Sequence, residues 1–292
     1  MAVSELKTKG GIELSVITKH KDNFLKYRYL LKELVVKNIK LQYRNSVLGM
    51  FWTFLQPLLT MVVLSMVFSV VFGRGSNGEI VNYPVYLLSG RLLYDFFTQS
   101  TKRAMRSIRS NASIIKKVYV PKYIYPLSQV LSTFVTFLIS LSVLAVVIAF
   151  FNIIGKDPVT ITFNIFWAII PVTILFIFCM GVGMFLATLN VFFKDIENFY
   201  DVITLLLFYL IPIVYSVDRL GFTKDAWQVS VLKINPLYGI IEMFRAAVLH
   251  GNEFRAFFDM NQMYYTLAVA LVTFIIGFVV FYKNQDKFIL HI

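Results

Sequence analysis

Residues that build most enzyme sites are scarce in this sequence. Its 292 residues include one cysteine, Cys179, and three histidines, His20, His250 and His291, which fall in separate segments. The metal-ligand patterns Cys-x-x-Cys and His-x-x-x-His are absent, as is the Gly-x-x-x-x-Gly-Lys-Ser/Thr loop that holds nucleotide phosphates. We therefore predict a chain with no disulfide, no metal site, no bound cofactor and no catalytic residues.

Charge is scarce as well. Charged residues make up 15% of the chain, whereas soluble domains average about 25%. Hydrophobic residues make up 58%, compared with about 45–50% in soluble domains. A charge near the bilayer centre costs about 2.5–3.5 kcal/mol, and about 20 apolar residues cross the bilayer as a helix, so uncharged stretches mark crossings. We predict an all-α membrane protein with six transmembrane helices, at residues 47–72, 84–108, 122–153, 162–192, 200–217 and 262–282.

Two of these six segments contain residues that are unusual in a crossing. Arg91 and Asp95 interrupt the segment 84–108. They lie four residues apart and so share one helix face, which predicts an intramembrane ion pair. Pro212 interrupts the segment 200–217, which we therefore expect to be short or bent.

The net charge of +12 is concentrated in two segments. Residues 1–45 carry ten basic and four acidic side chains, and residues 102–122 carry seven basic side chains and no acidic one. Basic loops stay in the cytoplasm, so we predict a multi-pass protein of the plasma (inner) membrane with both termini cytoplasmic. Its parts are an N-terminus at 1–45, a membrane domain at 46–283 and a tail at 284–292, and no nucleic-acid partner is expected.

The N-terminal segment has apolar residues at helical spacing, with lysines on the other faces. A basic amphipathic helix of this kind binds membrane lipid and lies in the membrane interface. A solvated tether is the alternative. The apolar positions are Phe24, Tyr27, Leu31, Leu34 and Val35.

The acid-free loop at 109–121 combines an apolar pair with two lysines and a proline. Ile114 and Ile115 precede Lys116 and Lys117, a pattern that predicts a short helix lying across the membrane surface with one face available to a partner. A basic loop that only sets topology is the alternative.

The region at 218–258 lies outside the membrane by topology, yet it is too apolar for an ordinary loop. Asn235 and Pro236 give a helix start, and Gly251 suits a helix end. Broken or re-entrant helices occur at membrane depth where they are buried in protein or line a cavity. We predict re-entrant gate helices here, before the last crossing.

Four motifs resemble a known family. Residues 44–57, Arg-Asn-Ser-Val-Leu-Gly-Met-Phe-Trp-Thr-Phe-Leu-Gln-Pro, resemble the pattern Arg-x-Ser-x-Leu-Gly-x-x-Trp-x-x-x-x-Pro that opens the first membrane helix of polysaccharide-exporting ABC type 2 permeases. Residues 115–121 resemble the coupling-helix segment of that family, residues 192–196 its Phe-Arg/Lys-Asp-Ile signature, and Asn235-Pro236 its late Asn-Pro motif.

The resemblance implies a non-catalytic permease subunit that forms a homodimer. Two copies of a separate ATPase subunit, which holds ATP and Mg, bind to that dimer. The implied cargo is a polyprenyl-diphosphate-linked glycan such as O-antigen, teichoic acid or capsule, and the alternative is export of a small molecule or lipid. Arg91 departs from the family, where this segment is usually apolar, and Tyr94 replaces a frequent Trp.

The resemblance also implies roles for particular residues. Lys40 and Arg44 are expected to attract the lipid diphosphate, with plain binding to anionic lipid as the alternative. Contact of Arg91 and Asp95 with cargo is the alternative to their ion pair. The residues assigned to ATPase coupling are Asn111, Ile114, Ile115, Lys116, Lys117, Lys194 and Asp195.

Aromatic side chains are expected to line the channel, since their rings stack on sugars. Packing or a lipid-facing belt is the alternative for each of them. The lining candidates are Phe51, Phe54, Tyr94, Phe97, Tyr209 and Tyr215. The candidates for gating or structural roles are Gly49, Trp52, Pro57, Pro212, Asn235 and Pro236.

Overall fold

A computed structural model of the chain describes residues 27–68, 82–118, 120–155, 158–160, 162–215, 227–251 and 254–292, and all regular structure there is helical. The helices are α1 (27–43), α2 (Trp52–Phe68), α3 (Tyr83–Ser110), α4 (Ala112–Ile115), α5 (Ile124–Ile154), α6 (Ile169–Phe192), α7 (Ile196–Leu210), α8 (Trp227–Ile234), α9 (Pro236–Leu249), α10 (Phe254–Phe257), α11 (Met260–Asn284) and α12 (Phe288–His291). The predictions for Phe24, for 69–72 and for 218–226 lie outside the described residues.

Four helical stretches are long and apolar enough to cross a membrane. They are Gly49–Phe68, Ile124–Ile154, Phe163–Phe192 and Met260–His291. Each coincides with one of the six predicted crossings, so the chain is an all-helical membrane protein.

The other two predicted crossings correspond to α3 and α7. Helix α3 has 28 residues, but it carries Arg91, Asp95 and several basic residues toward its end. Helix α7 has 15 residues and ends at Leu210, not at residue 217 as predicted. The chain turns just beyond Leu210 because Pro212 lacks the N–H that the next helical hydrogen bond needs.

Helices α3 and α6 form the centre of the bundle. Helix α3 packs against α5 and α6, and α6 packs against α11. The α6–α11 crossing is close because glycines meet there: a Cβ added to Gly181 would lie 2.6 Å from the backbone of Phe274, and one added to Gly277 would meet the carbonyl oxygen of Gly181. Small residues at such crossings allow backbones to approach within van der Waals contact.

Helix α9 is short and buried. Twelve of its 14 residues are buried, and it contacts α3, α6 and α11. Asn235 caps its N-terminus, with Oδ1 accepting from the Leu237 N–H at 3.0 Å, and Pro236 occupies the first turn. The helix therefore starts at the Asn-Pro pair, as the sequence predicts.

Helix α1 packs its apolar side on the protein itself. Leu34 is buried, and Tyr27, Leu30 and Leu31 pack beside it. Asn38 Nδ2 donates to Ser128 Oγ at 3.3 Å, which joins α1 to the first turns of α5. Part of the apolar side of α1 therefore contacts the bundle.

Candidate functional site

One end of the bundle gathers the last turn of α1, α4, the corner between α6 and α7, and α12. Arg103 Nη1 donates to Gln42 Oε1 at 2.8 Å, joining α3 to α1. The ring of Phe192 packs against Phe288 and His291, with centroids 6.1 and 5.0 Å away. We call this the basic end, since the end of α1 and the segment after α3, which belong to the two basic segments of the sequence, lie here.

Helix α4 begins directly after Asn111 and is anchored at the basic end by its last residue. The Asn111 carbonyl accepts the N–H groups of Ile114 and Ile115 at 3.0 Å. Ile115 is buried, whereas Ile114, Lys116 and Lys117 are exposed. One apolar anchor therefore leaves an isoleucine and two lysines free to contact another protein.

The corner between α6 and α7 is exposed at the same end. Lys194 and Asp195 are exposed, and the adjacent ring of Phe193 is 62% exposed. These three side chains are therefore accessible to another protein.

Two ion pairs connect the last turns of α3, just before α4, to α7. Arg106 Nε lies 2.8 Å from Glu197 Oε2, and Lys102 Nζ lies 2.7 Å from Asp201 Oδ1. Asn190 of α6 also donates to Glu197, at 3.0 Å. Sequence reasoning missed these contacts. A signal was present, because the acidic residues of this corner face an acid-free basic segment.

The C-terminal segment is tied to the start of α5 at the same end. Lys122 Nζ donates to the Gln285 carbonyl at 2.6 Å. Burial lowers the pKa of Lys122, and the nearby charge of Asp286 opposes that shift. This contact helps to hold α12 at the basic end.

The chain bends sharply between α1 and α2. Gly49 has φ +51°, a backbone conformation that favours glycine, and its N–H donates to Ser46 Oγ at 3.1 Å. Lys40, Arg44 and Trp52 are exposed around this bend. The two basic side chains are therefore accessible to an anionic group.

Four of the six aromatic lining candidates are accessible to different degrees. Phe51, just before α2, and Phe54, on α2, are exposed, and the helix continues through Pro57. Tyr209 is exposed on α7. Tyr215 is half-buried, and its hydroxyl donates to the carbonyls of Tyr209 and Leu210 at 3.1 and 3.0 Å, which caps the end of α7.

The other two lining candidates, Tyr94 and Phe97, require a correction. Both side chains are buried, at 4% and 3% exposure. The Tyr94 hydroxyl donates to the Thr204 carbonyl, and the ring of Phe97 stacks on Phe178 with centroids 5.7 Å apart. They pack α3 against α7 and α6 inside the protomer, so they do not face an open passage.

Arg91 and Asp95 lie together on α3. Arg91 Nε is 2.9 Å from Asp95 Oδ2, and the guanidinium carbon lies 4.9 Å from the centroid of the Phe208 ring. Arg91 is therefore stabilised both by the carboxylate of Asp95 and by the aromatic face of Phe208 on α7.

A buried arginine that sequence reasoning missed holds the end of α7. Arg245 of α9 is 2% exposed, and its guanidinium donates to the carbonyls of Pro212 and Ile213 at 2.8 and 3.1 Å. It also stacks 3.6 Å above the ring of Tyr86. The buried carbonyls of Pro212 and Ile213, which lie just beyond the end of α7, are thereby paired. Its only sequence signal is a single arginine in an otherwise apolar helix, three residues after Glu242.

These features belong to a known class of membrane protein. Residues 29–249 match the ABC-2 type transporter family. The match spans most of the chain, from α1 to the end of α9, and the chain belongs to that family.

Relatives of named function extend the similarity. The chain is 30% identical to the O-antigen export system permease protein RfbA of Klebsiella pneumoniae over 89% of this chain and 95% of the relative. It is 28% identical to RfbA of Myxococcus xanthus over 75% and 80% of the two chains. It is 23% identical to the capsule polysaccharide export inner-membrane protein CtrC of Neisseria meningitidis serogroup A, over 89% and 94%.

Proposed function

We propose that this chain is the membrane permease of an ATP-driven exporter that moves a lipid-linked surface polysaccharide across the plasma membrane. O-antigen, teichoic acid and capsule are the glycans of this type. The observation that carries the proposal is the similarity to an O-antigen export permease over 95% of that protein's length. Export of a small molecule or lipid is the alternative, and the names of these relatives do not favour it.

In this proposal the chain crosses the inner membrane six times, with α3 and α7 as the two additional crossings. Both termini are cytoplasmic, because α1 and α12 lie at the basic end, and basic segments stay inside. The partner is a second copy of the chain. Helices α2 and α7 bury only two residues each within the protomer, so most of their apolar surface is available for that contact or for lipid.

Two copies of a separate ATPase subunit, which hold ATP and Mg, dock on the basic end. Ile114, Lys116 and Lys117 of α4 contact the ATPase, and Lys194 and Asp195 extend the same surface. A displacement of α4 reaches α7 through the ion pairs of Arg106 and Lys102 described above. ATP binding thereby moves α7 relative to α2 and opens the passage.

The cargo enters near the bend between α1 and α2. Lys40 and Arg44 attract the diphosphate of the polyprenyl carrier, since each such residue contributes about 1 kcal/mol of attraction to anionic headgroups. Phe51, Phe54 and Tyr209 then offer aromatic faces to the sugars. The region from α8 to α10 serves as the outer gate, with Asn235 and Pro236 at its turning point and Pro212 just after α7.

The test is a pair of charge reversals in a host that lacks the chromosomal copy of this gene. Wild type restores surface polysaccharide, measured by immunoblot of the cell envelope. K116E/K117E abolishes this restoration and also the stimulation of ATPase activity by cargo, because two lysines of the docking surface become acidic. The variant chain still inserts into the membrane. K287E, an exposed lysine of the C-terminal segment that lies outside the docking surface of α4 and the α6–α7 corner, serves as the control and exports normally.

Two outcomes count against the proposal. Surface polysaccharide that is unchanged without the chain overturns the polysaccharide cargo and favours the alternative exporter. Normal export by K116E/K117E removes α4 as the ATPase contact, and the cargo assignment then stands on its own.

A further inference from the structure

A polar cavity lies between α2, α3 and α5. Its volume is about 80 Å³, enough for several water molecules. Helices α2 and α5 belong to membrane-spanning stretches, where apolar residues are the rule, yet hydroxyl and amide groups form much of the wall. These groups belong to Gln56, Gln99, Thr133, Thr136 and Ser140.

The hydroxyl groups of this wall are available as acceptors. Thr133, Thr136 and Ser140 each donate to a backbone carbonyl of α5 at 2.8–3.1 Å. Each hydroxyl oxygen keeps lone pairs that can accept from a bound molecule.

The two amides of the wall have capacity left in both directions. Within the described part of the chain, the side chains of Gln56 and Gln99 make no hydrogen bond to the protein. An amide offers two N–H donors and one carbonyl acceptor. Gln56 is exposed and Gln99 is partly buried within the protomer, so both amides are accessible to a bound molecule.

The charge of the wall restricts the class of ligand. Asp95 lines the cavity, and its carboxylate is paired with Arg91. No lysine or arginine lines the cavity, so a diphosphate or other anion is disfavoured inside it. A hydrocarbon chain would leave both amides unpaired. The wall therefore fits an uncharged ligand rich in hydroxyl groups, and Trp52 and Phe137 add aromatic faces.

Basic residues adjoin the part of the cavity wall that the end of α1 supplies. Gln42, at the end of α1, lines it and accepts from Arg103 at 2.8 Å. Lys40 and Arg44 are exposed on the same part of the chain. In a lipid-linked glycan a diphosphate is followed by a sugar. The basic residues at the rim suit the diphosphate, and the uncharged polar groups of the wall suit the sugar.

We propose that the cavity binds the sugar unit next to the diphosphate of the lipid-linked cargo, with the diphosphate remaining at the rim. The assignment to cargo rests on the proposed function; the sugar chemistry rests on the wall itself. Occupation of the cavity inserts a sugar between α2 and the pair formed by α3 and α5, and so couples cargo entry to the position of α2.

The first experiment measures sugar binding with the full chain and its ATPase in lipid nanodiscs. Trp52 is the reporter, in a W167F/W227F background that removes the other two tryptophans. The probe is octyl β-glucoside, and an octyl oligo(ethylene glycol) of the same chain length is the control ligand. We expect a saturable change of Trp52 fluorescence with the glucoside only. An identical response to both ligands overturns the sugar site.

Variants then locate the binding. Q99M and Q56M keep the length of the side chain and remove its amide, and each should weaken glucoside binding about three- to tenfold. Q129M makes the same change on α5 outside the cavity and should bind as wild type does. T136V, nearly isosteric, replaces either variant if that variant fails to insert. Unchanged affinity in all three cavity variants overturns the assignment to this cavity.

Export assays separate this inference from the proposed function. Failure of the wild-type chain to restore surface polysaccharide defeats the proposed function, whatever the glucoside result. If wild type restores export, Q99M should reduce it and Q129M should not. Weakened glucoside binding together with full export in Q99M overturns the role of the cavity in handling cargo and leaves the proposed function standing.

Discussion

Helices α6 and α2 are both apolar membrane-spanning segments, but they have opposite environments. Fifteen of the 24 residues of α6 are buried, compared with two of the 17 residues of α2. Helix α7 resembles α2, with two buried residues of 15. The bundle therefore has a fixed part, centred on α3, α6 and α9, and an exposed part, α2 and α7, which few internal contacts restrain.

Polar contacts at both ends of α7 join the two parts, and this makes the residues that form them sensitive positions. Arg245 holds the end of α7 that breaks at Pro212, and Arg106 and Lys102 hold its other end. A transporter needs such a division, because one part must keep its shape while the other moves.

The largest effect is expected where the fixed part holds the outer end of α7. R245M removes the donors to the Pro212 and Ile213 carbonyls and leaves them buried, at a cost of about 2–4 kcal/mol of unfolding free energy. Denaturant unfolding in detergent, followed by circular dichroism, measures it.

The control is E242Q. Glu242 pairs with Arg245 but is 40% exposed, so its loss should cost less than about 1 kcal/mol. If R245M is as stable as wild type, Arg245 is not the link between the two parts.

An intermediate effect is expected at the α6–α11 crossing, within the fixed part. G277A places a methyl group against the carbonyl of Gly181 and should destabilise the chain by about 1–3 kcal/mol. The neighbouring variant I276A changes a side chain that is 51% exposed and should stay within about 0.5 kcal/mol. The same unfolding assay compares the two. Equal effects would erase the distinction between buried and exposed faces of one helix.

The smallest effect on stability is expected at the other end of α7. Arg106 is about half exposed in its pair with Glu197, so R106E should change the unfolding free energy by about 1 kcal/mol or less. Its export activity should nevertheless fall, because movement of α4 no longer reaches α7. The charge swap R106E/E197R should restore export of surface polysaccharide. Full activity in R106E, or no recovery in the swap, contradicts this path.

Sequence reasoning succeeded where periodicity and charge decide the outcome. The four uncharged stretches predicted helices that the structure contains, and the Asn235-Pro236 pair predicted the start of α9. It failed for Tyr94 and Phe97, because an aromatic residue in a membrane helix carries no mark of whether it faces a passage or a neighbouring helix. It also missed Arg245, whose partners are backbone carbonyls more than 30 residues earlier in the chain.

The amino-acid sequence by itself determined that the protein lies in a membrane, that its fold is helical and where its basic segments are. These follow from local composition, since a helix satisfies its own backbone groups and a basic loop resists translocation. Tertiary structure alone decided which apolar helices are buried, which charges pair across helices, and where hydroxyl and amide groups from three helices meet in one cavity. Those properties depend on contacts between residues distant in sequence, and no single segment encodes them.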